Sequence, residues 1–386
     1  MSLSPTLDIN RAIAALRKEF NPALAAAAIE MAMLRRRASS KFSRSEAMLF
    51  VREGLEQSSS EAVARHRAAR FAGSQPAADL CCGIGGDTIA LARVCPVLAV
   101  DSDPVKVACC AHNVGVYGVQ GSCLTLLGDV ASLPIDIRKA FLDPGRRVGG
   151  VRVRDGEDYC PAVSFCASLA GQMDGAGIKL SPGMSMDRPE GKWETEVISV
   201  DGECREMVIW AGCMATCTRR ASILHSSASD RFHPALHSLT SDAGCDPQAR
   251  NLDRLPSPGD WLFEPDPAII RSRMVGQLAG LLEASVIDPQ IAYLVAPQAS
   301  PTPFAASYRV VEAFPYHERH LREWLARRSV GHLVVKKRGF PLSPEEVRAR
   351  MRLRGDETRT IVLTRVGDRH LAIVVQGPMP IDASVR

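Results

Sequence analysis

From residue 77 onward, short apolar runs that end in an acid or a glycine alternate with segments whose apolar residues recur every three or four positions. The first kind reads as buried strand and the second as amphipathic helix. Strands are expected at 77–81, 97–100, 123–127, 139–142 and 177–180, with helices at 86–93, 104–117 and 161–171. Parallel strands need crossovers of this length, so the pattern predicts an α/β fold on a doubly wound, Rossmann-like sheet. Two further runs, 196–200 and 206–210, flank Asp201-Gly202 and read as a closing antiparallel hairpin, which brings the sheet to seven strands. About a dozen Pro- and Gly-rich residues precede that hairpin, too few for a full crossover helix.

The rest of the chain divides by the same patterns. Residues 1–70 are expected to form an N-terminal helical region, whose last helix, 61–70, starts after the capping cluster Ser58-Ser59-Ser60. The sheet domain takes 71–214. Residues 215–260, rich in Ser, Asp, Pro, Arg and His without periodicity, read as a linker or insertion. A connecting α/β segment follows at 261–306, with a helix at 268–284 and a strand at 291–295. Residues 307–386 read as a small α+β module with helices at 317–328 and 344–353.

The first strand runs into Asp79-Leu-Cys-Cys-Gly83-Ile-Gly85-Gly86-Asp87-Thr88. An acid, a glycine turn and a helix start are how a Rossmann-like sheet presents backbone N–H groups to a nucleotide cofactor. A dinucleotide fingerprint would need a third glycine where Thr88 stands. With Gly86 beside Gly85 and an acid four residues before Gly83, the stretch instead resembles motif I of class I S-adenosylmethionine (SAM) methyltransferases. Asp79 would then orient the loop and approach the cofactor's ammonium, while Gly83, Gly85 and Gly86 let the methionine part lie against bare backbone. The second strand ends in Asp101-Ser102-Asp103-Pro104, where Asp101, with Ser102 beside it, is placed to accept hydrogen bonds from both ribose hydroxyls. After the third strand, Asp129 resembles the family position where an acid meets the adenine amino group. Each acid alone also fits a helix cap or a turn; three at successive strand ends point to a cofactor site.

The fourth strand ends in Asp143-Pro144-Gly145-Arg146-Arg147. Methyltransferases acting on exocyclic or amide nitrogens carry Asp/Asn/Ser-Pro-Pro-aromatic there, the polar group holding the amino group and the ring stacking on it. Asp143 and Pro144 match and are the expected catalytic residues, with Asp143 orienting the acceptor. The second proline and the aromatic are missing, so Arg146 or Arg147 would hold a phosphate or stack as a guanidinium plane. Uridine C5 methyltransferases with a related Asp-Pro-Pro-Arg need a nucleophilic cysteine after the next strand. This chain has Lys179-Leu-Ser181-Pro182-Gly183 there, which favours direct in-line transfer over a covalent cysteine intermediate.

Composition narrows the class further. At 386 residues and 46% hydrophobic content the chain can bury at least one large core, and no apolar stretch approaches the length of a membrane span. The start, Met1-Ser-Leu-Ser-Pro5, has no basic head followed by an apolar run, so a soluble, cytoplasmic protein without membrane contact is expected. Among twelve cysteines there is no Cys-x-x-Cys. Cys213-x-x-x-Cys217 near His225 is the best metal arrangement, but a buried thiol at a strand end explains Cys213 better, and no metal is expected. Charge is uneven: from Ser307 onward sixteen Lys and Arg face nine Asp and Glu, a surplus of +7 that leaves −3 for the rest. Lys336-Lys337-Arg338, Arg327-Arg328 and the series Arg348, Arg350, Arg352, Arg354 are candidates to meet phosphates, although four arginines spaced by two would spread around a helix.

Taken together, the chain resembles a bacterial family of class I SAM-dependent methyltransferases with a C-terminal THUMP-like domain, whose core is related to the trimethylguanosine synthase branch. The residues that carry the likeness are Ser59-Ser60-Glu61 with Ala64-Arg65-His66, Asp79 to Thr88, Asp101 to Pro104, Tyr117-Gly118-Val119 and Gly128-Asp129. In the tail they are Phe263-Glu-Pro-Asp-Pro267, Thr302-Pro-Phe304 and Val335-Lys-Lys-Arg-Gly339. The resemblance implies SAM as methyl donor and RNA, either tRNA or rRNA, as substrate. It does not imply guanosine N2 methylation, because the stacking aromatic is absent. Two alternatives stay open: a non-catalytic RNA-binding protein with a scaffold Rossmann domain, and a methyltransferase of protein or small molecules.

Overall fold

The computed structural model describes residues 20–379 except 74, 135, 146, 149, 150, 153, 154, 185, 228, 229 and 243–246, and gives backbone alone for 147, 148, 151 and 152. Two compact units emerge: Met1–Glu194 with Met207–Thr216 and Ser226–Pro234, and Thr195–Glu206 with Cys217–His225 and Ala235–Arg386.

The first unit opens with helices α1 (Pro22–Ala38), α2 (Arg52–Gln57) and α3 (Glu61–Ala68). Ser60 takes the N-cap position of α3, but its side chain makes no cap bond, unlike the capping expected of the serine cluster. There follow β1 (Ala77–Leu80), α4 (Gly86–Leu91), β2 (Val97–Asp101), α5 (Pro104–Val116), β3 (Cys123–Leu127), β4 (Lys139–Leu142), a short ribbon β5 (Arg147–Val148) and β6 (Val151–Arg152), α6 (Val163–Gly171), β7 (Gly175–Leu180), β8 (Trp193–Val200) and β9 (Glu203–Gly212). Strands β3-β2-β1-β4-β7 pair in parallel in that order, and β9 closes antiparallel on β7. Strands β1 and β7 are buried at every position, which is why they read as apolar runs without alternation. The order reverses between β1 and β4, and a crevice opens beyond the carboxyl ends of strands at such a switch point.

Strand order continues from β9 through β8 to β10 (Arg219–His225), parallel to β8, and β11 (Ala235–Ser241), antiparallel to β10. The sheet therefore has nine strands where seven were expected, and both extra strands lie in the stretch read as a linker. Their sequences explain the miss. Only Ala221–Leu224 is buried without interruption in β10, and β11 alternates exposed and half-buried positions along an edge.

The second unit holds a further sheet: β12 (Trp261–Pro265), then helices α7 (Pro267–Arg271) and α8 (Val275–Leu281), β13 (Ser285–Asp288), β14 (Ile291–Ala296), β15 (Ala305–Pro315), α9 (Glu318–Arg327), β16 (Val330–Lys337), α10 (Pro344–Met351), β17 (Glu357–Val366) and β18 (Arg369–Gln376). Its order is β13-β14-β12-β15-β18-β17-β16, so strands from 261–306 and from 307–376 pair in one sheet. Alternate residues of β18 serve two cores. Ala372 and Val374 pack with Leu321, Trp324 and Leu325 of α9 and with Val347 and Met351 of α10. Ile373 and Val375 pack with Tyr293, Tyr308 and Val310. The single helix expected at 268–284 is two, because Arg273 turns left-handed at φ +58° while Met274 N bonds to Ile269 O at 2.9 Å and Arg273 N to Ile270 O at 3.1 Å. Among the described residues no helix is long and apolar enough to cross a membrane.

Candidate functional site

A cleft of about 260 Å³ lies at the carboxyl ends of β1, β2 and β4, within the first unit. Of the residues singled out from sequence it is lined by Gly83, Gly86, Asp101, Ser102, Asp129, Asp143 and Pro144. Gly85 stands just behind, as the left-handed N-cap of α4 at φ +88°, and Gly83 is left-handed at φ +57°. An added Cβ at Gly83 would meet nothing within 4 Å, so its backbone faces open space. Cys81 is also left-handed, at φ +67°, a strained conformation for a side-chain-bearing residue.

Asp101 organises this turn. Its Oδ2 accepts from Gly83 N at 2.8 Å and its Oδ1 from Asp103 N at 3.0 Å. The tip of β2 thus fixes the loop after β1, and each oxygen keeps a lone pair for a ligand hydroxyl. Asp103 caps α5, accepting from Val105 N at 2.8 Å. Asp129 accepts from Ala131 N at 3.0 Å, and Gly128 N bonds to Asp101 O at 3.0 Å, which places the third acid beside the second.

Asp79 sits differently from the sequence expectation. It is fully buried beneath the loop, outside the cleft lining, and its Oδ2 accepts from Thr88 Oγ1 at 2.5 Å. Burial, and next the charge of Asp87, pushes its carboxyl up to about 8, so at neutral pH it is mostly an uncharged acid. Next to it, Arg67 of α3 pairs with Asp87 and lies over the Phe141 ring at 4.8 Å. The thiols here stay protonated: burial raises Cys81, and a hydrogen bond with Cys110 followed by burial raises Cys82.

Asp143 is held by its amide, which donates to Leu80 O at 3.1 Å, and by Lys179 Nζ at 2.6 Å from Oδ2. Gly145 and Cys160 exchange backbone hydrogen bonds of 2.8 and 3.0 Å, bringing Cys160 and Pro161 to the wall opposite. Arg146 lies outside the described residues, and Arg147 is described only as backbone in β5. No aromatic ring stands among the described lining residues. Among the described residues no group of three or more His, Cys, Asp and Glu could hold a metal ion.

Several lining residues escaped sequence reasoning. Glu53, Gln57 and Ser58 come from α2 and the turn after it. Lys41 Nζ pins that helix end by donating to Leu55 O and Ser58 O, both at 2.8 Å. Asn113 of α5 joins the same region to the glycine loop, donating to Leu49 O at 3.0 Å and to Ile84 O at 2.9 Å. Lys179, which stands behind the lining and bonds to Asp143, did leave a signal: a lone charge inside the run Gly177-Ile-Lys-Leu180.

In the second unit, Lys336 Nζ lies 2.6 Å from Glu264 and over the Tyr308 ring, and Arg338 is 3.7 Å from Glu264 and over Tyr293. Lys337 donates to Phe340 O at 3.2 Å. Lys336 and Arg338 are half-buried, whereas Lys337, Arg327, Arg328, Arg352 and Arg354 are exposed; of these Arg328 lies over the Trp324 ring at 3.9 Å and 3.7 Å from Glu312.

What this cleft can do follows from its lining. Open backbone at the left-handed Gly83, with carboxylates at the tips of two neighbouring strands, suits an adenosine-bearing ligand. One oxygen of Asp143 accepts from Lys179, and the other can accept from a donor entering the cleft.

Comparison with known proteins bears on both units. A family model described as THUMP domain-like matches residues 305–376, and one described as RNA cap guanine-N2 methyltransferase matches residues 75–159. The chain is 32% identical over 359 residues to an uncharacterized S-adenosylmethionine-dependent methyltransferase of Mycobacterium tuberculosis, covering 90% of this chain and 94% of that one. A shorter match, 45% identical over 49 residues, covers 12% of this chain and 20% of the trimethylguanosine synthase of Schizosaccharomyces pombe. Among solved structures, a Porphyromonas gingivalis protein described as a methyltransferase has a TM-score of 0.74 at 19% identity, covering 93% of this chain and 92% of that one, a likeness of fold.

Proposed function

Because this chain belongs to the S-adenosylmethionine-dependent methyltransferases, we propose that the cleft at the ends of β1, β2 and β4 is its cofactor site and that its acceptor is a nitrogen of RNA. When bound, SAM supplies an electrophilic methyl group and leaves as S-adenosylhomocysteine. Asp101 accepts the ribose hydroxyls with Ser102 beside it, Asp129 meets the adenine, and Gly83 and Gly86 give the methionine part room against the backbone, while Gly85, packed on Cys110, sets the turn. Asp79 acts from beneath, shaping the loop through Thr88 without touching the ligand. Asp143 and Pro144 form the acceptor side, where the carboxylate takes a hydrogen bond from the nitrogen to be methylated and aligns it for in-line attack.

The observation that carries this reading is the Asp101 carboxylate, which ties the glycine loop and lines the same cleft as Asp143. RNA is supported by the THUMP domain-like match, by the match to a family of RNA cap guanine-N2 methyltransferases, and by the cationic surplus of the tail. We assign phosphate contact first to the exposed Arg327, Arg352 and Arg354. Arg146 and Arg147 are proposed to hold the acceptor nucleotide's phosphate. Lys336, Lys337 and Arg338 contribute to the field of this surface while bracing the fold. We place the site of action in the cytoplasm, where RNA and SAM meet.

The test is mass spectrometry of nucleosides from total RNA of cells with and without the gene. Loss of one N-methylated nucleoside is expected. An unchanged nucleoside profile would overturn the RNA assignment.

A further inference from the structure

Strand β7 is buried throughout, and within it the Lys179 side chain is only 3% exposed. An ammonium placed there without partners would cost several kcal/mol, whereas a methionine of similar length would pack freely. Lys179 Nζ donates to Asp143 Oδ2 at 2.6 Å and reaches Gln57 O at 3.4 Å. One buried cation therefore joins the end of β4 to the last residue of α2, and both of the residues it touches line the cleft. It also takes one of the two carboxylate oxygens. Oδ1 of Asp143 makes no hydrogen bond with any described residue.

Resting on the reading of Asp143 as the acceptor-side acid, we propose that Lys179 is its positioning residue, holding Oδ2 so that Oδ1 alone is presented to the acceptor. A carboxylate free to rotate about its last torsion would offer either oxygen over a broad range of angles. Pinned on one side, it accepts an N–H along one direction and points the nitrogen's lone pair one way. The acceptor is then a nitrogen that carries a hydrogen, an amine or amide, and not a fully substituted ring nitrogen. As the N–C bond forms and the C–S bond breaks, the positive charge passes from sulfur to nitrogen, and the nitrogen's proton leaves to solvent water. Lys179 acts through Asp143 and never touches the acceptor.

The experiment uses the full-length protein and a desalted lysate of cells deleted for the gene, supplied with tritiated SAM and separated into RNA, protein and small-molecule fractions. Lys179→Met, Lys179→Arg and Asp143→Asn are compared with wild type for maximum labelling rate, for KM of SAM, for S-adenosylhomocysteine affinity by calorimetry and for melting temperature. Lys179→Met is expected to lose about 100-fold in maximum rate while its KM for SAM and its S-adenosylhomocysteine affinity stay within about 3-fold. Lys179→Arg, which restores a donor, is expected to recover at least ~10-fold of that loss. A Lys179→Met protein that labels at the wild-type rate while Asp143→Asn does not would overturn the role of Lys179 alone. Should both variants label at the wild-type rate, the Asp143 reading falls as well. A Lys179→Met protein that loses S-adenosylhomocysteine affinity and melting temperature along with rate, without recovery by arginine, would make Lys179 structural only. Label in the protein fraction instead of RNA would refute the RNA assignment and still report on Lys179, and wild type that labels no fraction overturns both.

Discussion

Gly85 and Gly83 lie two residues apart, and the structure predicts opposite failures for the same substitution. At Gly85 an alanine Cβ would stand 2.9 Å from Cys110 Sγ and 3.3 Å from Cys110 Cα, on a backbone at φ +88°. The left-handed conformation costs a residue with a Cβ about 1–2 kcal/mol. Overpacking against Cys110 adds about 1–3 kcal/mol, so Gly85→Ala should destabilise by about 2–5 kcal/mol. At Gly83 the φ of +57° costs a similar ~1–2 kcal/mol, but the methyl group enters open space beside the cleft. Gly83→Ala should therefore keep most of its stability and lose ligand affinity, by at least ~10-fold if the methyl group costs ~1.4 kcal/mol of fit. Urea denaturation and S-adenosylhomocysteine calorimetry on the same preparations separate the two. Adding Cys110→Ala to Gly85→Ala removes the sulfur contact but not the backbone strain, so the double-mutant cycle should show favourable coupling of about 1 kcal/mol. Gly85→Ala within 0.5 kcal/mol of wild type, or Gly83→Ala with unchanged affinity, would refute the reasoning.

Other consequences can be measured directly. Asp79 titrates near 8 in the folded chain against an ordinary 3.8, so between those values the folded state holds a proton that the unfolded state has lost. Its stabilising contribution is complete below pH ~4 and is lost as pH rises towards 8, with a slope of at most ~1.4 kcal/mol per pH unit. Wild-type stability should thus fall relative to Asp79→Asn between pH 5 and 8, and parallel stability curves would refute the shift. Arg67→Met breaks a buried pair with Asp87 and the contact over Phe141 at 4.8 Å, for an expected loss of about 3–5 kcal/mol in urea unfolding; a loss under 1 kcal/mol would contradict the packing. In filter binding to bulk RNA, Arg352→Gln with Arg354→Gln should each lower the salt slope by about one, while Lys336→Met lowers melting temperature and leaves the slope nearly unchanged. The reverse assignment would show that Lys336 leaves Glu264 to meet phosphate.

The parallel core was readable because buried strands such as Ala77–Leu80 and Gly175–Leu180 are apolar at nearly every position, and the acids at their tips stand out against them. Asp101 and Asp143 were found that way. Strands β10 and β11 were not, since an edge that is half polar lacks a contiguous apolar run. The contribution of α2 was invisible for a different reason. Glu53 and Gln57 are ordinary surface residue types, and it is long-range hydrogen bonds from Lys41, Asn113 and Lys179 that bring their region to the cleft. In the tail, the sequence alone could not show that Lys336 and Arg338 both lie beside Glu264.

Methyl transfer to RNA in this cleft, as proposed, depends on Asp101 on the cofactor side and Asp143 on the acceptor side. The most direct test incubates the purified protein with SAM carrying a trideuterated methyl group and with RNA from cells deleted for the gene, then resolves the nucleosides by mass spectrometry. One nucleoside should gain a trideuteromethyl group on nitrogen with wild type, none with Asp101→Ala, and none with Asp143→Asn although that variant still binds S-adenosylhomocysteine. Deuterium incorporated equally by wild type and both variants, or by none of them, would contradict it.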